Sequence, residues 1–191
     1  MSNLRRAVSD ALVADGFERD DRLLRLRVDD EWAWIIDTGF LDPDGQDMAP
    51  WLGLRHDSVQ RVLTECKGRP GSAFVGTAGS NVGYILGGGY RIWAPSASPA
   101  SVLDGIQSAR AVLEKFMTLR TLPGAYEIRG AKSPLWRFRL ACIYYLLADE
   151  PGLESALAEG ARTECRHQDA VCDQFRKFEA AMRAKWRDRG A

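Results

Sequence analysis

The sequence predicts an α+β protein: an antiparallel sheet of about five strands flanked by helices, with a C-terminal helical bundle. Three observations predict it. Residues 22–55 contain runs alternating apolar and polar side chains at the period of two that half-buried strands show. Residues 2–15, 57–68 and 99–118 place apolar side chains at the three- and four-residue spacing of amphipathic helices. Beyond Pro123-Gly124 every remaining segment has helical character.

The elements follow in order. Leu4, Val8, Ala11 and Leu12 share one face of an opening helix over 2–15. Gly16 stands where a left-handed residue ends such a helix, and Phe17 can fold back on its last turn. Leu24, Leu26 and Val28 lie on one side of a strand over 22–28, and Asp29-Asp30-Glu31 forms a polar turn. Trp32, Trp34, Ile36, Thr38 and Phe40 then share a side, with Ile35 and Asp37 opposite, which implies a sheet with one face on the core. A loop over Asp42–Pro50 precedes a third strand at Trp51–Arg55. Asp57 fits a helix N-cap, with Gln60 placed to close a capping box, and Gly68 and Pro70 end that helix. Ala73–Thr77 and Val82–Leu86 flank Ala78-Gly79-Ser80-Asn81 as a hairpin would. The Pro-, Ser- and Ala-rich residues 94–101 make the best internal boundary before a helix with Val102, Ile106, Ala109, Leu113 and Phe116 on one stripe.

This organisation predicts a sheet domain over 1–122 and a helical region over 123–191, packed on the sheet domain or continuous with it. Three helices are expected there, over 134–148, 151–164 and 168–188. The first is apolar nearly all round from Leu140, and the last carries Phe175, Phe178, Met182 and Trp186 on one face.

Composition bounds the function. The 191 residues are 46% hydrophobic and 27% charged, as in an ordinary globular protein. The most apolar run, Leu140–Ala148, is about half the roughly 20 residues a membrane helix needs. The N-terminus has Arg5 and Arg6 but no apolar run behind them, so it reads as a mature helix and not a signal peptide. A net charge of zero argues against a dedicated nucleic-acid binder. It conceals an asymmetry, since residues 1–65 hold 14 Asp/Glu against 8 Lys/Arg, and residues 66–191 hold 12 against 18. Such a split steers a charged partner to one face or draws two halves of the chain together. Cys66, Cys142, Cys165 and Cys172 match no disulfide or zinc framework, so buried free thiols in a reducing, cytoplasmic compartment are expected.

No catalytic constellation emerges. His56 lies between Arg55 and Asp57 at a strand-to-helix junction, with no nucleophile evident for it to activate. His167 lies two residues from Cys165, off the face that Cys165 and Cys172 would share on a helix, and no fourth zinc ligand is apparent. The glycines of residues 76–90 lack the Gly-Lys-Ser/Thr of a phosphate loop and the helix of a dinucleotide fingerprint, so turns and close backbone approach explain them better. The acids at 42, 44 and 47 offer no bidentate Glu at the twelfth position of a calcium loop. The basic C-terminal helix carries an apolar stripe that suits a packed helix with a solvated face. No cofactor, metal or catalytic residue is therefore expected.

A set of features over residues 4–118 resembles a family of small, uncharacterised bacterial α+β proteins, some associated with polymorphic toxin loci as immunity proteins. The features are a helix ending in ADGF, the strand LLRLRV, the Trp-rich WAWIIDTGF, WLGLRHD leading into a helix, VGYILGGGYRIW, and a long helix. The resemblance implies binding and neutralisation of a cognate protein toxin by covering its active site. On that expectation the acidic loops, Asp29, Asp30, Glu31, Asp42, Asp44 and Asp47, would meet a basic toxin groove, with Trp51 as an aromatic anchor. Two other classes stay open: an adaptor using the C-terminal helices as a peptide groove, and a hydrolase or transferase with its site near His56.

Overall fold

The computed structural model describes residues 3–39, 47–68, 72–132, 135–165 and 170–189. In chain order the elements are α1 (Asn3–Ala14), β1 (Glu18–Asp20), β2 (Leu23–Arg27), β3 (Trp32–Asp37), β4 (Trp51–His56), α2 (Asp57–Lys67), β5 (Ala78–Asn81), α3 (Val82–Ile85), α4 (Pro99–Leu113), α5 (Trp136–Leu147), α6 (Glu150–Glu164) and α7 (Ala170–Arg189). Two 3-10 turns, Glu114–Phe116 and Leu122–Glu127, follow α4. The strands form one antiparallel sheet in the order β1-β2-β3-β4-β5. The α+β class, the five-stranded sheet and the C-terminal helices match the expectation. Among the described residues no helix is long and apolar enough to cross a membrane.

The chain groups into two compact units: Met1–Asp57 with Ala73–Lys132, and Ser58–Ser72 with Ser133–Ala191. Residues 94–101 are thus not a boundary, and α2 belongs with the C-terminal helices although it follows β4 without a break. Counted over these units the charge asymmetry halves. The first unit holds 16 Asp/Glu and 13 Lys/Arg, a balance of −3, and the second holds 10 and 13, a balance of +3.

In the first unit, cross-strand pairs Leu24–Ile36, Ile36–Leu52, Leu26–Trp34 and Trp34–Leu54 assemble one apolar sheet face. Helix α4 lies along it: the Arg110 guanidinium is 5.1 Å from the Trp34 ring and 5.9 Å from the Phe17 ring. Helix α1 ends as expected. Gly16 has φ +94°, and the amides of Gly16 and Phe17 donate to the carbonyls of Val13 and Leu12 at 3.0 Å, which folds buried Phe17 back onto the helix. Strand β1 has no counterpart in the sequence reading, because Glu-Arg-Asp shows no apolar alternation. A two-residue turn with Asp21 at φ +54° sets it against β2.

The opposite face departs from expectation. All six residues of β3 are buried, so the sheet is covered on both sides. The Trp51 indole lies over Gly53, Gly76 and Gly79, where an added Cβ would approach its ring to 2.3, 2.5 and 2.7 Å. Arg25 and Arg55, on the strands flanking β3, stand opposite Ile35 and Ala33 and turn their guanidinium groups to Asp57. Asp57 opens α2, but its carboxylate serves these two arginines and not the expected capping box. Ala78–Asn81 is itself strand β5, and the next four residues are a short helix, so the expected hairpin does not exist. Gly79 pairs with Gly53 beneath Trp51, a long-range contact that overrides the turn-like local sequence.

In the second unit α5, α6 and α7 surround a ring cluster. The Phe138 centroid is 5.0 Å from Phe175 and 4.8 Å from Phe178, and each buried ring contributes about 2–3 kcal/mol. Gly160 admits the Phe175 ring, since a Cβ there would fall 2.0 Å from it. Ala148 in the left-handed region ends α5, and Asp149 caps α6 by accepting from the Gly152 amide at 3.0 Å. Helix α2 joins through Lys185–Glu65 at 2.8 Å and through Lys67, whose Nζ is 4.9 Å from the Phe138 centroid. Cys66 and Cys142 are buried free thiols, as expected. Cys165 and Cys172 are not: they form a disulfide, because the end of α6 and the start of α7 bring their Cα atoms to 4.4 Å.

Candidate functional site

The described acidic residues stand at the two ends of strand β3. Strand β3 separates the turn at 29–31 from the segment leading to β4, and its six residues span roughly 17 Å. Asp29 is a turn residue, its Oδ1 accepting from the Glu31 and Trp32 amides at 2.8 Å. Asp30 is exposed. Glu31 Oε2 is 3.4 Å from His56 Nδ1, and its carbonyl accepts from the Asp57 amide at 2.8 Å. Asp42 and Asp44 lie outside the described residues. Asp47 is exposed at the opposite end, its carbonyl accepting from Arg5 at 2.9 Å. Trp51 covers glycines and offers no projecting anchor.

His56 gains a carboxylate neighbour in Glu31 but not an open site. It is 4% exposed, its ring is edge-on to Trp32 at 4.6 Å, and its amide donates to Thr77 Oγ1 at 2.9 Å. The Thr77 carbonyl in turn accepts from Tyr126 Oη at 2.9 Å. These contacts join the ends of β4 and β5 to the turn after α4. Among the described residues no group of three or more His, Cys, Asp or Glu side chains is placed to hold a metal. His167 lies outside them. At the other end of β3, burial pushes the Asp37 carboxyl above its usual pKa, opposed by the Gly39 amide at 2.8 Å and Arg22 at 3.3 Å.

A surface fit for binding forms beyond the end of β5, in the stretch the sequence reading assigned to turns. Asn81, 3% exposed, clamps it with both ends of its amide. Oδ1 accepts from the Gly83 and Arg91 amides at 2.9 and 2.8 Å, and Nδ2 donates to the Arg91 and Pro50 carbonyls at 3.0 and 3.5 Å. The loop between closes tightly, for a Cβ on Gly83 would meet the Gly89 carbonyl at 2.1 Å. Trp93 pairs with Met48 as an isolated bridge, securing the far end. A fixed backbone therefore presents Leu86, 37% exposed, and Ile92, 55% exposed, around an open hollow of about 360 Å³.

Tyr90 and Arg91 line this hollow, and further rings and an arginine back them. The Arg91 guanidinium is 4.5 Å from the Trp93 ring, Arg129 is 4.9 Å from Tyr84, and Tyr84 is edge-on to Tyr90 at 5.8 Å. The Tyr90 hydroxyl is enclosed and has no hydrogen-bond partner among the described residues; burial, and then Tyr84, push its pKa above the usual phenol value. Fixed Tyr, Trp and Arg beside exposed aliphatic groups is the composition enriched at binding hot spots. The sequence held a signal for it, since Tyr84, Leu86, Tyr90, Arg91 and Ile92 crowd into nine glycine-rich residues. A smaller hollow of about 160 Å³ lies between α6 and α7, lined by Leu153, Glu154, Arg183, Trp186 and Arg187. Arg183 there is held by Glu154 and Glu179.

Comparison with protein-family models, curated proteins and solved structures finds no match for this chain.

Proposed function

We propose that this chain is a non-catalytic bacterial immunity protein that binds a cognate protein toxin in the cytoplasm and neutralises it by covering its active site. The reading joins the ordered features of residues 4–118 to one observation: the clamped loop presents Leu86 and Ile92 beside Tyr90 and Arg91. A preorganised surface of this kind supports binding because little loop entropy is lost on association. The buried setting of His56 supports a structural role for that residue. The Cys165–Cys172 bridge bears on the cytoplasmic part of the proposal, because reducing compartments hold few structural disulfides. The contact proposed here lies on the 82–93 loop and not on the acidic loops.

The test is co-expression with the toxic domain encoded by the adjacent gene. The wild-type chain should rescue growth, and Ile92→Asp, which places a charge on an already exposed position, should abolish rescue while leaving the melting temperature unchanged. Rescue insensitive to Ile92→Asp but lost in Trp186→Glu would favour the adaptor-like use of α6 and α7. No rescue of any neighbouring toxin would remove the immunity reading.

A further inference from the structure

We infer that the partner element docking on the 82–93 loop presents a large apolar side chain flanked by carboxylates. The inference rests on the reading that this chain acts by binding, and it specifies the chemistry bound. Within the same unit Arg19, Arg22, Arg25 and Arg55 each reach a carboxylate. Arg91 and Arg129, like Arg27, Arg110 and Arg120, reach none among the described residues, and Arg91 and Arg129 are both exposed. Each instead rests over a ring, Arg91 on Trp93 and Arg129 on Tyr84. Such stacking orients a guanidinium while leaving its N–H groups available to a planar carboxylate. Arg91 in the lining of the hollow, with Arg129 stacked on the Tyr84 ring that meets the Tyr90 wall, selects an acidic partner and repels a basic one.

The hollow beside Arg91 fits an apolar side chain. Leu86 and Ile92 supply the aliphatic wall, Tyr90 the aromatic one, and Gly87-Gly88-Gly89 let a partner backbone approach without meeting side chains. Two acids stand near: Asp47 adjoins Met48, which pairs with Trp93, and Glu127 precedes Arg129 by two residues. The Asp47 main chain is tied to Arg5 on α1, and neither acid pairs with Arg91 or Arg129 among the described residues. The charge at this surface is thus opposite to that of the acidic rim expected from sequence, and a toxin with only a basic groove does not fit it.

Fluorescence anisotropy on the full-length chain tests this with two labelled peptides. One has a central Leu-Trp pair flanked on each side by three Glu, and the other carries Lys in place of every Glu. The acidic peptide should bind at least about tenfold tighter than the basic one in low salt and weaken as salt rises. Arg91→Glu with Arg129→Glu should reverse that preference, and Ile92→Asp should weaken the acidic peptide. Arg91→Gln with Arg129→Gln removes both charges while keeping a polar side chain, and serves as a charge-neutral control that loses the preference without reversing it. Equal affinity for the two peptides, no binding of the acidic one up to millimolar concentration, or an unchanged preference in the double variants overturns the inference. Preference for the acidic peptide without rescue of any toxin would sink the immunity reading alone. Toxin rescue by the Arg91→Glu/Arg129→Glu chain would sink this inference alone.

Discussion

Replacing Asn81 with Ala should loosen the candidate binding loop and measurably destabilise its unit. Asn81 is 3% exposed, and its side chain satisfies the Gly83 and Arg91 amides and the Arg91 carbonyl within 3.0 Å. Truncation leaves these groups without that partner and opens a small void. At about 1 kcal/mol for each lost interaction the total is about 3 kcal/mol. With a urea dependence of about 2 kcal/mol per molar, the midpoint should fall by about 1.5 M. Hydrogen exchange gives the site-specific readout. The Arg91 amide belongs to an exposed residue yet should be protected, because it donates to a buried oxygen. In Asn81→Ala its exchange should accelerate by about 100-fold, the factor corresponding to roughly 3 kcal/mol. Asn81→Asp separates the two halves of the clamp, since it keeps both acceptor bonds and loses the donors. Protection at Arg91 should persist while global stability still falls. An Arg91 amide that exchanges equally fast in wild type and Asn81→Ala would refute the clamp.

Three further outcomes follow from other parts of the chain. The Cys165–Cys172 bridge closes a short ring with a sequence separation of 7, so Cys165→Ala/Cys172→Ala should lose about 2.5 kcal/mol by chain entropy, with a matching loss on adding reductant to wild type; identical urea midpoints with and without reductant would argue that no bridge forms. The folded-state pKa of Asp37 is raised by burial, so its contribution to stability is full below the unfolded carboxylate pKa and is lost as pH rises through the higher folded value. Asp37→Asn should therefore flatten that decline in denaturation series from about pH 3 to 7, and a wild-type-like slope in the variant would count against it. Tyr90→Phe removes an enclosed hydroxyl with no partner among the described residues, so stability by thermal melting should hold or rise by about 1 kcal/mol; a loss of that size would mean the hydroxyl is satisfied.

Legibility varied with how local the deciding interaction is. Helix α1 and its Gly16 ending, β4, α4 and the three C-terminal helices follow from spacing, capping and turn chemistry within a few residues. Strand β1 was invisible because its three residues are all charged and exposed, and only its pairing with β2 makes it a strand. Ala78–Asn81 reads locally as a turn, yet Gly79 must extend to pass under Trp51 against Gly53. The acidic residues are legible as acids, but no local pattern tells that β3 separates 29–31 from Asp47. The binding loop reads locally as a glycine run suited to turns, since the contact between Arg129 and Tyr84 comes from a segment 45 positions away in the chain.

By itself the sequence determined the class: period-two runs specify strands, period-3.6 runs specify helices, and no long apolar run is present. The tertiary structure decided which faces are buried, which cysteines meet and which charges remain unpaired. Covering β3 on both sides needed the Trp51 indole and two arginines from neighbouring strands. Joining Cys165 to Cys172 needed the end of α6 and the start of α7 to bring their Cα atoms to 4.4 Å. Secondary structure is encoded in neighbours along the chain, whereas pairing, burial and leftover charge are properties of neighbours in space.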